Sequence, residues 1–153
     1  MRQRFKKALV WVGPGLVILA ADRVFKLLFH DAQQVVIPGV LALHGAKNTG
    51  MAMGMFAGNA LPLLILSILL MAICVYTLKK WRVSGLGAAA VSMMAGGAIG
   101  NAFDRAVFGY VVDMVEVLFI DFYIFNIADV GVVCGAILCG ISLFFRPQDW
   151  NAK

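Results

Sequence analysis

Leu61-Pro62-Leu63-Leu64-Ile65-Leu66-Ser67-Ile68-Leu69-Leu70-Met71-Ala72-Ile73-Cys74-Val75-Tyr76-Thr77-Leu78 contains no charged residue and ends at Lys79-Lys80. A helix needs about 20 apolar residues to cross the hydrocarbon core of a bilayer, so this stretch reads as a membrane span. Three other segments have a similar character: Ala8–Phe29, Val83–Phe103 and Ile127–Phe145. The third of the four is rich in Gly and Ala, from Gly85 through Gly87, Gly96 and Gly97 to Gly100. In water such a composition weakens a helix, but in lipid small residues let neighbouring helices approach closely. It is expected to be the central, protein-packed span. The first segment opens with Arg2, Arg4, Lys6 and Lys7 and passes Ala20-Ala21, like a cleavable signal peptide. Its apolar run continues through Val24, Phe25, Leu27 and Leu28, so a retained span is expected.

The composition of the 153-residue chain agrees, with 62% hydrophobic and 14% charged residues. Soluble domains carry about 45–50% apolar and about 25% charged residues, and a water-soluble fold could not hide this much apolar surface. The net charge of +5 does not imply nucleic acid, because the basic residues lie in short clusters beside apolar runs. Cys74, Cys134 and Cys139 all fall inside such runs, without metal-ligand spacing, and read as small packing residues. The expected fold class is an all-α membrane protein, one domain of four transmembrane helices.

Nine Lys and Arg lie in the N-terminus, the loop after the second span and the C-terminal tail. The opposite loops hold only Lys47 and Arg105. The positive-inside rule then predicts cytoplasmic termini and outward-facing segments His30–Ala60 and Asp104–Asn126. Gln34–Ile37, Val40–Leu43, Tyr110–Val112 and Val115–Ile124 are rich in β-branched and aromatic residues. They predict a small β-element on the outer membrane surface, with a surface-lying helix over Val115–Tyr123 as the alternative.

Polar groups at the edges of spans are costly and ask for a reason. Asp22 and Lys26 share one helical face; Asn101, Asp104 and Arg105 end the third span; Asn126 and Asp129 begin the fourth; Asn48 and Asp113 lie in the outer loops. The topology, assigned from Lys and Arg alone, brings all of them to one face. Paired carboxylates sharing a proton can activate water and polarise a carbonyl. Asp22, Asp104, Asp113 and Asp129 are the candidates. Asp22 has Lys26 as an ion-pair partner and Asp104 has Arg105 beside it. Asp113 and Asp129 have no evident cation, which favours them as working groups. No Ser or Cys nucleophile with a His partner is evident, and His30 and His44 are the only histidines. Gly97-Ala98-Ile99-Gly100 lacks a nucleophile and reads as a packing motif. A small proton-coupled transporter or channel subunit is the alternative function, although transporters usually keep their sites near the midplane.

Four blocks resemble the lipoprotein signal peptidase (signal peptidase II) family. Asn48-Thr49-Gly50-Met51-Ala52 is similar to its Asn-x-Gly-x-Ala motif. Gly100-Asn101-Ala102-Phe103-Asp104-Arg105, followed by Gly109-Tyr110-Val111-Val112-Asp113, resembles its Gly-Asn-x-x-Asp-Arg…Gly-x-Val-Val-Asp block. Phe125-Asn126-Ile127-Ala128-Asp129 resembles Phe-Asn-x-Ala-Asp, and Asp22-Arg23-Val24-Phe25-Lys26 resembles Asp-Gln-x-x-Lys. The resemblance implies that Asp113 and Asp129 are catalytic. It also implies that Asn48, Gly50, Asn101, Arg105 and Asn126 line the substrate site, with Asp22, Lys26 and Asp104 in support. It further implies a diacylglyceryl-prolipoprotein substrate cut before its lipid-modified cysteine in a bacterial inner membrane. No metal or cofactor and inhibition by globomycin-like peptides also follow from it; a monomer is expected separately. Three residues depart from the pattern: Arg23 for Gln, Met53 for an aromatic and Met114 for Phe. The two Met are expected to adjust packing, and Arg23 to snorkel toward headgroups.

Overall fold

The computed structural model describes residues 2–50 and 58–152. Met51–Phe56, including Met53, therefore lie outside the described residues. Four helices dominate: α1 (Arg2–Phe29), α2 (Leu61–Lys80), α3 (Gly85–Phe108) and α4 (Ile127–Phe145). Among the described residues, α2, α3 and α4 are long and apolar enough to cross a membrane. α3 runs five residues beyond the expected Phe103, so Asp104 and Arg105 belong to its last turns rather than to a loop. Gly109 stops it in a left-handed conformation (φ 77°) that a side chain would resist.

α3 packs against each of the other three helices. Its small residues are the reason. A Cβ on Gly96 would meet the backbone of Gly15 in α1, and one on Gly97 would meet the Ala128 carbonyl of α4. Backbones touch at these two points, as small-residue stripes allow in lipid. α2 and α4 instead expose large apolar side chains such as Leu66, Leu69, Ile73, Val133 and Ile137, as a lipid-facing surface should.

Strands β1 (Gln33–Ile37), β2 (Leu41–Asn48) and β4 (Val111–Val117) form an antiparallel sheet in the order β1-β2-β4. The alternative surface helix over Val115–Tyr123 does not form. The strand runs to Val117, the chain turns over residues 118–121, and Phe125 returns to bridge Val115. The return satisfies backbone groups that a helix would have to satisfy alone: Phe125 N donates to Val115 O at 3.0 Å, and Val115 N to Phe125 O at 2.9 Å.

A second, two-stranded sheet was not expected. β3 (Trp81–Val83) pairs antiparallel with β5 (Trp150–Ala152), tying the C-terminal tail to the α2–α3 connection. Asp149, in the 3-10 turn Pro147–Asp149, accepts from the Leu86 backbone N–H at 3.0 Å and so caps α3.

Gly97→Val is expected to force α3 from α4 and to destabilise the fold by about 1–3 kcal/mol. An unfolding midpoint in sodium dodecyl sulfate would check this, with Ile99→Val at the exposed neighbouring position leaving the midpoint unchanged.

Candidate active site

Asp113 sits on β4, and the sheet register decides what it meets. Ala46 lies opposite it, so Asn48, two residues on, shares its face of the sheet. Asn48 Nδ2 donates to Asp113 Oδ2 at 2.7 Å. The other carboxylate oxygen accepts from Asn126 Nδ2 at 2.6 Å. Asn126 arrives there because the Phe125–Val115 bridge sets it beside β4 just before α4 begins.

Asp129 lies in the first turn of α4 and forms a capping box with Asn126. The Asn126 backbone N–H donates to Asp129 Oδ2 at 3.2 Å, and the Asp129 N–H donates to Asn126 Oδ1 at 2.9 Å. Asp129 Oδ1 accepts from Asn101 Nδ2 at 2.7 Å. The cap that an Asp in this position suits is therefore real, and one carboxylate oxygen still faces a second helix.

Each of the three asparagines has its amide orientation dictated from behind. The Gly50 N–H donates to Asn48 Oδ1 at 2.9 Å, the Asp129 N–H fixes Asn126 Oδ1, and Lys26 Nζ donates to Asn101 Oδ1 at 3.1 Å. A donor on the oxygen side turns the NH₂ toward the carboxylate.

Lys26 belongs to a cluster of four charges, of which Asp22, Lys26 and Asp104 are buried and Arg23 is partly exposed. It contacts Asp22 at 2.9 Å and Asp104 at 2.7 Å. Arg23 donates to Asp22 at 2.6 Å, to the Gly100 carbonyl at 3.1 Å and, closer still, to Asp104. Asp22 Oδ1 also accepts from the Ala128 N–H at 3.0 Å, capping α4 from α1. Two expectations are corrected here. Arg23 does not snorkel, because two buried carboxylates hold it. Asp104 pairs with Lys26 and Arg23 rather than Arg105, because adjacent helical residues point about 100° apart. The expected Asp22–Lys26 pair does form. Met114 is fully buried, consistent with a packing role.

Arg105 lies on the other side of α3, within the field of Asp113 and Asp129. Its Nε is buried without a hydrogen-bond partner. It helps line a cavity of about 580 Å³ together with Asn48, Gly50, Asp113, Asn126 and Asp129. The remaining wall is apolar and aromatic: Phe122 to Phe125, then Val130, Val133 and Cys134. Sequence reasoning missed this wall. Its only signal is that Val130, Val133 and Cys134 continue the helical face of Asp129. Among the described residues no group of His, Cys, Asp and Glu could hold a metal ion. His44 instead contacts Glu116 on the sheet at 3.1 Å.

Burial pushes the Asp113 carboxyl up to about 6, and the charge of Asp129 pushes the same way, against the two amide donors.

A helical membrane protein in which asparagine amides hold two carboxylates at the wall of an apolar cavity is the class that fold and site define. The family model for signal peptidase (SPase) II matches residues 15–145. The lipoprotein signal peptidase of Lactobacillus johnsonii is 34% identical over 149 residues, covering 93% of this chain and 96% of that protein. The lipoprotein signal peptidase of Pseudomonas putida is 34% identical, covering 89% and 87%. A solved bacterial membrane enzyme, determined by the in meso method, superposes with a TM-score of 0.76 at 29% identity, covering 89% of this chain and 88% of that one. The chain belongs to the signal peptidase II family and is a membrane peptidase of lipoprotein processing.

Two outcomes follow from the charges. Lys26→Met leaves two buried carboxylates with one cation and is expected to cost about 3–5 kcal/mol, read as a lower unfolding midpoint. The raised pKa of Asp113 means that the folded chain keeps a proton there between about pH 4 and about 6 that the unfolded chain has lost. Stability therefore falls as pH rises through that window and stays lowered above it, by about 3 kcal/mol at most. Asp113→Asn should melt above wild type at pH 7.5, with a gap that closes toward pH 4. A gap independent of pH would refute this account of Asp113.

Proposed function

We propose that this chain is an aspartic endopeptidase that removes the signal peptide from diacylglyceryl-modified prolipoproteins, cutting before the lipid-bearing cysteine. The observation that carries the reading is the pair of carboxylates on the wall of one apolar cavity, Asp113 held by two asparagine NH₂ groups and Asp129 by one and a backbone N–H. The amides orient both carboxylates before substrate arrives, so little reorganisation accompanies the reaction.

One aspartate takes a proton from water as the water attacks the scissile carbonyl. The other donates its proton to that carbonyl; as the C–N bond breaks, the first passes the proton taken from water to the leaving amine, and the second recovers its own from the intermediate's hydroxyl. No covalent intermediate forms. Arg105 balances the negative charge of the dyad without consuming it in a direct ion pair. The two carboxylates titrate jointly, and a bell-shaped pH–rate profile reports the pair. The substrate's acyl chains have no reason to leave the bilayer, and the apolar wall of Val130, Val133 and Cys134 suits their sideways entry between helices. Globomycin-like cyclic peptides compete for the same cavity.

In this reading α1 is the fourth span, from about residue 8. Its basic start, together with Lys79, Lys80, Arg82 and Arg146, supports cytoplasmic termini in a bacterial inner membrane, with the site and three-stranded sheet on the outer face. The enzyme works as a monomer without a cofactor.

The test is processing of a diacylglyceryl-prolipoprotein by purified protein, read by gel shift. Wild type is expected to cleave, and Asp113→Asn and Asp129→Asn, folded and inserted, are each expected to lose at least about 10³-fold in rate. Survival of activity in one variant would remove that aspartate from the pair. Failure of folded wild type to cleave would return the proton-coupled transporter reading.

A further inference from the structure

The end of the helix bundle opposite the aspartates carries a second cavity, of about 290 Å³, which peptide cleavage does not use. Val91 and Met94 of α3 form part of its lining, Cys74 comes from α2, and Cys139 and Leu143 come from α4. Trp81 of β3 and Trp150 of β5 close its end. Ile73 and Leu143, also lining it, are strongly exposed, so the cleft is reachable from the lipid-facing surface.

The rim has the opposite chemistry. Lys79, Lys80 and Arg82 flank Trp81 and are exposed. Lys80 Nζ lies 5.6 Å from the Tyr76 ring centroid and 5.8 Å from that of Trp81, which sets its charge at the mouth. No carboxylate among the described residues forms an ion pair with any of the three. Asp149 is the acidic residue of this end, but it is buried and already engaged by the Leu86 N–H, Ser142 and Arg146.

An apolar groove between membrane helices, two tryptophans at its end and three cations without an ion-pair partner among the described residues describe a ligand with an apolar tail and an anionic head. We propose that the cleft binds one anionic glycerophospholipid, an acyl chain lying between α2 and α4 and the phosphate resting against Lys80 at the mouth. The signal peptide of a substrate does not suit the site, because its leading segment is positively charged and would meet the same cations. The inference stands apart from the peptidase reading and holds whether or not Asp113 and Asp129 are the catalytic pair.

The experiment uses the full chain in detergent micelles, titrated with phosphatidylglycerol or with phosphatidylcholine of the same acyl chains. Native mass spectrometry counts bound lipid, and melting follows stabilisation by mass action. Saturable retention of one phosphatidylglycerol, with a raised Tm, is expected, and phosphatidylcholine should do neither. Lys80→Gln should weaken that retention about fivefold, and Arg82→Gln, on the opposite face of β3, should weaken it less. Cys139→Trp, which fills the cleft and keeps every charge, should abolish it. Leu143→Trp at the exposed lip serves the same purpose should Cys139→Trp fail to fold. Equal retention of the two lipids would overturn the proposal. So would undiminished phosphatidylglycerol binding by the filled variant, which would mean headgroup attraction without a built site.

Discussion

Four charges in a low-dielectric setting, Asp22, Arg23, Lys26 and Asp104, hold the rest of the structure in place. Each alone would be expensive to bury, and together they are neutral and almost fully hydrogen-bonded. Such a cluster contributes little net stability against an apolar replacement, yet losing one member leaves an uncompensated buried charge. What it supplies is geometry. Lys26 reaches from α1 to α3, Asp22 reaches from α1 to the N-terminus of α4, and the three helices that meet at the site share one set of contacts.

From that cluster the order passes to the carboxylates through amides. An ammonium can only donate, so the oxygen of Asn101 must face Lys26 and its NH₂ must face Asp129. The same logic, with backbone N–H groups in place of Lys26, turns Asn48 and Asn126 toward Asp113. Asn48 and Asn126 also perform the local turn and cap roles that asparagine commonly fills. The local bond is what leaves the other end of each amide free for the carboxylate. Capping and site construction are one arrangement here.

The approach of α3 to its neighbours makes the arrangement possible. Without side chains at Gly96 and Gly97, backbones of α1 and α4 come into contact with α3, and polar groups at the helix ends fall within hydrogen-bonding reach. Lipid supplies no hydrophobic force between helices, so this close packing and the polar contacts must hold the bundle together. The surfaces of α2 and α4 left outside remain large, apolar and exposed, as contact with hydrocarbon requires.

The sequence by itself determined the helical, membrane-embedded character, the central place of the glycine-rich helix, the β-prone segments and the family. Each of these is written in local composition, periodicity or contiguous motifs. It also marked the residues that converge, because polar groups beside apolar runs stand out against their surroundings. Apart from the i,i+4 pair of Asp22 and Lys26, only the tertiary structure decided their partners. That Asp104 meets Lys26 and Arg23, that Arg23 is drawn inward and that the C-terminal tail pairs with Trp81–Val83 all depend on which helix faces meet. The apolar cavity wall was equally silent, since Val130, Val133 and Cys134 look like any lipid-facing residues until the chain returning through Phe125 supplies the facing wall of an open cleft. Contacts between residues separated by 75 or more positions, such as Lys26 with Asn101, carry no local signature, because packing of whole helices creates them.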